Sequence, residues 1–123
     1  MPIMQAFLTA PREPQAKKAL CAAYAACFVD VLGSKPERVR IQLVPVAGDD
    51  VFVAGEHGGG LAMLHVWLLP GRPAALKAEL IARLALATAA HAGLDDHRMR
   101  ILIHDTPAHD IGFGASTAQA LGF

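Results

Sequence analysis

The sequence has no surplus of charge of either sign. Its 123 residues carry 11 lysines and arginines against 11 aspartates and glutamates, a formal net charge of zero. Nucleic acid and anionic membrane are therefore not expected partners, since both call for a concentrated cationic footprint. Aromatic residues are scarce at 6%, and no uncharged apolar run approaches the roughly 20 residues of a membrane span. The opening MPIMQAFLTAPREP lacks the basic n-region and the cleavage site of a secretory signal, so none is expected. The two cysteines, Cys21 and Cys27, lie six apart in an apolar stretch. That spacing suits two buried thiols on one helix better than a disulfide or a metal pair, and points to a reducing, cytoplasmic setting. No phosphate loop, nucleophile elbow or dinucleotide fingerprint is present. His104, Asp105 and His109 match no metal-ligand spacing, and Asp105, His109 and Asp110 read as solvated or capping groups. Neither metal nor cofactor is expected.

What the chain does have is apolar residues and an internal repeat. Hydrophobic residues make up 54% against 18% charged, which excludes disorder. For so small a domain the balance also predicts apolar surface shared with other subunits. At an offset of 60, Arg12 pairs with Arg72, Lys17 with Lys77, Leu20 with Leu80, and Gly33 with Gly93. Arg38 pairs with Arg98, Arg40 with Arg100, and Ile41 with Ile101. Alanine and leucine matches are cheap in such a sequence; the glycine and arginine matches are not. One domain made of two halves, about 1–60 and 61–123, follows.

Each half reads as strand, helix, strand. The first strands are about Ile3–Thr9 and Met63–Leu69. Both helices open on a proline in the first turn, Pro14 and Pro73, and close on a glycine suited to a left-handed cap. Leu20, Tyr24, Phe28 and Val31 recur at helical spacing, as do Leu76, Leu80, Leu84 and Ala87, with a Glu79–Arg83 pair on the wet side. The second strands are Arg38–Val46 and Arg98–His104; alternation puts Arg38, Arg40 and Gln42 on one face. Glycine-rich hairpins follow at 52–60 and 111–114, with Gly58–Gly60 as the linker between halves. The expected fold is α/β (α+β): a tandem β-α-β repeat giving a four-stranded mixed sheet with two helices on one face. The bare face must then be covered, most simply by other copies, so a homotrimer is expected.

Pro2 follows the initiator Met1, which cells generally remove before so small a residue. The product begins with a secondary amine at the start of a strand, a positioned base. Pro2-Ile3 opening a strand, Arg12 ten residues on, Gly33, Arg38-Val39-Arg40-Ile41 and the later Phe52 resemble the 4-oxalocrotonate tautomerase pattern. The resemblance spans nearly the whole chain, and the duplication is similar to fused members of the tautomerase superfamily. These include the malonate semialdehyde decarboxylase, cis-3-chloroacrylic acid dehalogenase and macrophage migration inhibitory factor types, which form trimers.

The resemblance implies Pro2 as general acid/base on a small 2-oxo or enol carboxylic acid, without cofactor. Ala62, the repeat mate of Pro2, is internal and offers no amine. It further implies carboxylate-binding arginines, foremost Arg72 and Arg40, with Arg12 and Arg100 as further candidates lining a second, degenerate pocket. Phe52, Phe113 and Trp67 are candidate apolar walls. The turn Pro70-Gly71-Arg72 departs from the Arg-Pro-Arg of the decarboxylase type, which puts decarboxylation by the same mode in doubt. A decarboxylase, dehalogenase or hydratase, and a non-catalytic trimeric binding protein, are the alternatives. Retention of Met1 would favour the last, because the Pro2 nitrogen would then be an amide.

Overall fold

The computed structural model describes residues 1–123. Strand β1 (Ile3–Leu8) leads into helix α1 (Pro14–Leu32), then β2 (Arg40–Pro45) and a hairpin of β3 (Phe52–Val53) and β4 (Glu56–His57). The second half repeats this with β5 (Ala62–Leu68), α2 (Ala74–Ala92), β6 (Met99–Asp105) and a hairpin of β7 (Gly112–Phe113) and β8 (Ser116–Thr117). The helices and hairpins recur at the offset of 60 without a gap.

The main sheet has the order β2-β1-β5-β6. Within each half the two strands are parallel, as the crossover helix requires, and β1 meets β5 antiparallel in the middle. Ile3 lies opposite Arg40 on one side and Trp67 on the other. The start of β1 and the end of β5 therefore share one end of the sheet.

One face of the sheet packs on both helices. Met4, Ala6, Leu8, Leu64, Val66 and Leu68 point into a core completed by Leu20, Tyr24 and Phe28 from α1 and Leu80 and Leu84 from α2. Truncating such a buried leucine to alanine typically costs about 2–5 kcal/mol. Tyr24 Oη and Thr88 Oγ1 lie 2.7 Å apart across the two helices, and Thr88 also donates to the Leu84 carbonyl at 2.8 Å. That buried polar pair stands where the repeat has Leu84 and Phe28, so the two halves have diverged in the core.

Several expectations are refined. The second strands start later than their alternation suggests: Arg38 and Arg98 each close a short 3-10 turn, Pro36–Arg38 and Asp96–Arg98. Pro36 fixes the first of these, so Arg38 leaves the face shared by Arg40 and Gln42. Pro73 caps α2 from outside rather than entering it, while Pro14 sits inside α1. Gly33 and Gly93 adopt the left-handed conformation, with φ of 67° and 68°. Arg83 pairs across to Asp30 of α1 at 3.1 Å instead of to Glu79. Only Cys27 is buried, and Cys21 is half-buried. No helix is long and apolar enough to cross a membrane.

The other sheet face carries Ile3, Gln5, Phe7, Met63, His65, Trp67, Leu102 and His104 and has no helix over it. Here Gln5 donates to Gln42 at 3.0 Å, and His65 Nδ1 lies 2.9 Å from His104 Nε2 beside Trp67.

Candidate active site at the amino-terminal end of the sheet

Pro2 is fully buried where β1 enters the sheet. Its carbonyl accepts the Arg40 backbone N–H at 3.1 Å, which ties it to the start of β2. Beside it opens a cavity of about 510 Å³ lined by Met1, Ile3, Arg38, Arg40, Phe113 and Phe123, among others. The Met1 amine donates to the Arg38 carbonyl at 3.1 Å.

Cations converge on this end from both halves. Arg40 starts β2, and its Nη1 donates to the Glu37 carbonyl at 2.8 Å. Arg72 comes from the turn after β5, which the antiparallel β1–β5 pairing returns to the start of β1. Its Nη1 donates to the Leu69 carbonyl at 3.2 Å, leaving the rest of the guanidinium free. The Met1 amine is held below its ordinary value, first by burial and then by the charges of Arg38, Arg40 and Arg72. Both effects disfavour a protonated amine and so favour a free base.

Of the other candidate residues, Phe113 lines the same cavity from the second hairpin. Arg12 is exposed on the turn after β1, at the opposite end of that strand. Arg100 is the second residue of β6 at that opposite end, its Nη1 donating to the Met99 carbonyl at 2.8 Å. Phe52 stands 69% exposed on the first hairpin, outside this chain's own cavity. Trp67 stacks on His104 on the uncovered sheet face, with ring centroids 5.2 Å apart, and does not line the cavity.

Two lining residues, Arg38 and Phe123, were not among the candidates. Arg38 is visible in the repeat, but its assignment to a strand hid it; the Lys35-Pro36 turn signal could have corrected that. Phe123 follows β8 in an irregular turn with no periodicity to betray it.

No protein-family model matches the chain, and no curated protein matches it either. Solved structures do. A fused 4-OT, wild type and a symmetric trimer, is 34% identical over 98% of this chain and 99% of its own, with a TM-score of 0.91. The chain belongs to the tautomerase superfamily. Within that superfamily the fold extends to Pt0534, a protein inactivated by 2-oxo-3-pentynoate, at 23% identity, 98% and 99% coverage and a TM-score of 0.90. It extends also to macrophage migration inhibitory factor of Toxoplasma gondii, at 17% identity, 94% and 98% coverage and a TM-score of 0.83. The fold expected from the repeat, a tandem β-α-β unit with a four-stranded mixed sheet, is that of these fused tautomerase-superfamily proteins.

Proposed function

We propose that the chain, once Met1 is removed, is a cofactor-independent tautomerase acting on a small 2-oxo or enol carboxylic acid. The observation that carries this reading is that Arg40, which lines the cavity at the amino-terminal end, and Arg72, from the other half and outside that lining, both set a positive charge against the terminal amine. An arginine fork binds a carboxylate bidentately, and a second guanidinium stabilises the oxygen on which negative charge grows during enolisation. The neutral Pro2 amine takes a proton from one position of the substrate and returns it at another, ending as it began. Phe113 and Phe123 limit water at the reacting atoms.

Two further parts of the reading concern assembly and setting. The uncovered sheet face supports a homotrimer, and the 34% identical relative is a trimer. In such an assembly the exposed Phe52 is available to a neighbouring protomer's cavity. The free thiols accord with a cytoplasmic location.

A second reading has its own observation. With Met1 in place its amine is seated on the Arg38 carbonyl, and Pro2 has no basic lone pair. In that form the chain is a binding member of the fold. Intact mass separates the two, and 2-oxo-3-pentynoate tests the chemistry directly. An amine of lowered basicity adds to the activated alkyne, so peptide mapping should place the adduct on Pro2. A protein that lacks Met1, yet takes up no reagent and ketonises no enol acid, would overturn the enzymatic reading.

A further inference from the structure

The uncovered sheet face carries one polar cross-strand pair from each half, and the two respond differently to protons. In the first half Gln5 donates to Gln42 at 3.0 Å, an amide pair that stays uncharged. In the second half the repeat mate of Gln5 is His65, which pairs instead with His104. His65 Nδ1 and His104 Nε2 lie 2.9 Å apart, with ring centroids 5.2 Å apart and planes that differ by 11°. Those values set the two imidazoles edge to edge in nearly one plane. One nitrogen donates and the other accepts along the line between them.

The surroundings favour an uncharged pair. Phe7 meets His65 edge-on at 5.9 Å, and Trp67 stands nearly parallel beside His104 at 5.2 Å. Gln5 and Leu102, opposite His65 in the neighbouring strands, carry no charge. The charged groups that share this face are Arg40 and Arg100, near the starts of β2 and β6, and both are cations. The four strands hold one carboxylate, Asp105, which turns to the helix side and pairs with Lys77 of α2 at 2.7 Å. Positive charge on this face is therefore not offset by the face itself. A first added proton goes to an outer nitrogen and leaves the N–H···N bond intact. A second sets one N–H against another, which breaks the bond and leaves two cations side by side.

We propose that the His65–His104 pair is an acid-released latch between copies of this chain. While one proton bridges the two rings the face accepts a second copy, and charging both imidazoles expels it. The proposal rests on the homotrimer reading above, which supplies the occupant of this face. Covering the face takes the pair out of water and opposes its charging, so a separated chain binds more protons than an assembled one. The assembly is thus favoured where imidazoles are neutral and is lost as pH falls through the range in which they charge. The amide pair of the first half has no such response, so the latch belongs to the second half alone.

Sedimentation velocity of the full chain at micromolar concentration, from about pH 8 to about pH 5.5, tests this. The concentration of half-dissociation should rise about tenfold or more over the last pH unit, because each proton taken up on release multiplies the dissociation constant about tenfold per unit. Trp67, the one tryptophan, stands beside the pair, and its emission should change over the same interval. His65→Gln combined with His104→Gln supplies the amide chemistry of the first half. That variant should assemble at the upper pH and hold together at the lower. His91→Gln, exposed at the end of α2, should dissociate as the parent does. Far-UV circular dichroism checks that each chain stays folded.

A parent equally assembled at both ends of the range, or a double variant that dissociates as the parent does, would overturn the latch and leave the homotrimer standing. A monomer at the upper pH would overturn both. If the double variant does not assemble, the parent still decides. Its dilution calorimetry in buffers of different ionisation enthalpy counts the protons exchanged on release. About one or more should be taken up per chain near the middle of the range, and none taken up would overturn the latch.

Discussion

The two ends of the β1–β5 pair began as copies and now differ in every respect that matters for chemistry. At one end the chain terminus opens on a cavity lined by Arg38 and Arg40, with Arg72 on the adjoining turn after β5. At the other, Ala62 is an internal, fully buried residue, and the linker Gly58–Gly60 takes up Arg98. Thr9 locks that junction: its backbone N–H donates to the Leu61 carbonyl at 3.1 Å and its Oγ1 accepts from the Leu61 N–H at 3.0 Å. Fusion therefore did more than delete one amine. The peptide that joins the halves has to pass through the place an amino terminus would occupy, and its carbonyls satisfy the cation left there. A linker is a structural part that doubles as a plug.

The largest break in this comparison comes at Pro2. Pro2→Ala leaves a terminal amine that is primary and less constrained, so kcat on an enol acid should fall about 10²–10⁴-fold, the usual contribution of a general base. A residue retained ahead of Pro2 converts its nitrogen to an amide and should abolish turnover altogether. Continuous ultraviolet assay of ketonisation on mass-verified protein measures both.

The arginines come next, and they test the two ends against each other. Arg72→Ala, which removes the proposed carboxylate clamp, should raise KM about ten- to hundredfold, because such a clamp acts in ground and transition states alike; Arg40→Ala, which removes the guanidinium proposed to face the developing oxygen charge, should instead lower kcat by a similar factor. Arg12→Ala and Arg100→Ala, at the plugged end, should stay within about twofold of the parent. A large loss from Arg100→Ala would mean that the second end is not closed after all.

How much of this was legible beforehand follows the physics of each feature. The repeat gave the strand and helix order, because glycine caps and apolar spacing act locally and were kept in both halves. Arg72 and Arg40 could be nominated from resemblance, but their meeting depends on the antiparallel β1–β5 register, a long-range pairing that no local pattern encodes. Arg38 escapes the pattern because one proline turns it out of the strand its neighbours suggest. Helical spacing suggests Arg83–Glu79 where the structure has Arg83–Asp30, since spacing along one helix cannot see that the two helices lie side by side. Phe123 lay beyond any periodic signal; only the path of the chain after β8 brings it back over Arg38.

The pH dependence separates the ends more finely. In the proposed reaction the neutral amine is the working form, so kcat/KM should fall as pH drops through the amine pKa. That limb should lie below the ordinary terminal-amine range, because the burial and the charges of Arg38, Arg40 and Arg72 that lower the Met1 amine would face an amine at the adjacent Pro2 as well. Removing a cation relaxes the opposition. Arg38→Gln should therefore move the limb to higher pH, as should added salt. Arg100→Ala should leave it in place. A limb that ignores Arg38 and salt would show burial alone setting the amine.

The smallest expected effect concerns the plug itself, and two glycines isolate it. Gly55 and Gly59 both have left-handed backbones, with φ of 83° and 88°. A Cβ at Gly55 meets nothing within 4 Å, whereas one at Gly59 falls 2.8 Å from Arg98 Nη1. Alanine at Gly55 thus costs backbone strain alone, about 1 kcal/mol or somewhat more for a non-glycine residue in this region. Alanine at Gly59 carries the same strain and also pushes Arg98 off the Gly58 and Gly60 carbonyls, which adds roughly 1 kcal/mol for hydrogen bonds to a charged group at a partly buried site. Chemical denaturation should accordingly rank Gly59→Ala below Gly55→Ala by about that margin, with kcat of both near the parent because the working end is untouched. If the two variants prove equally stable, the linker merely passes Arg98, and the second end is closed by the loss of its amine rather than by the peptide that replaced it.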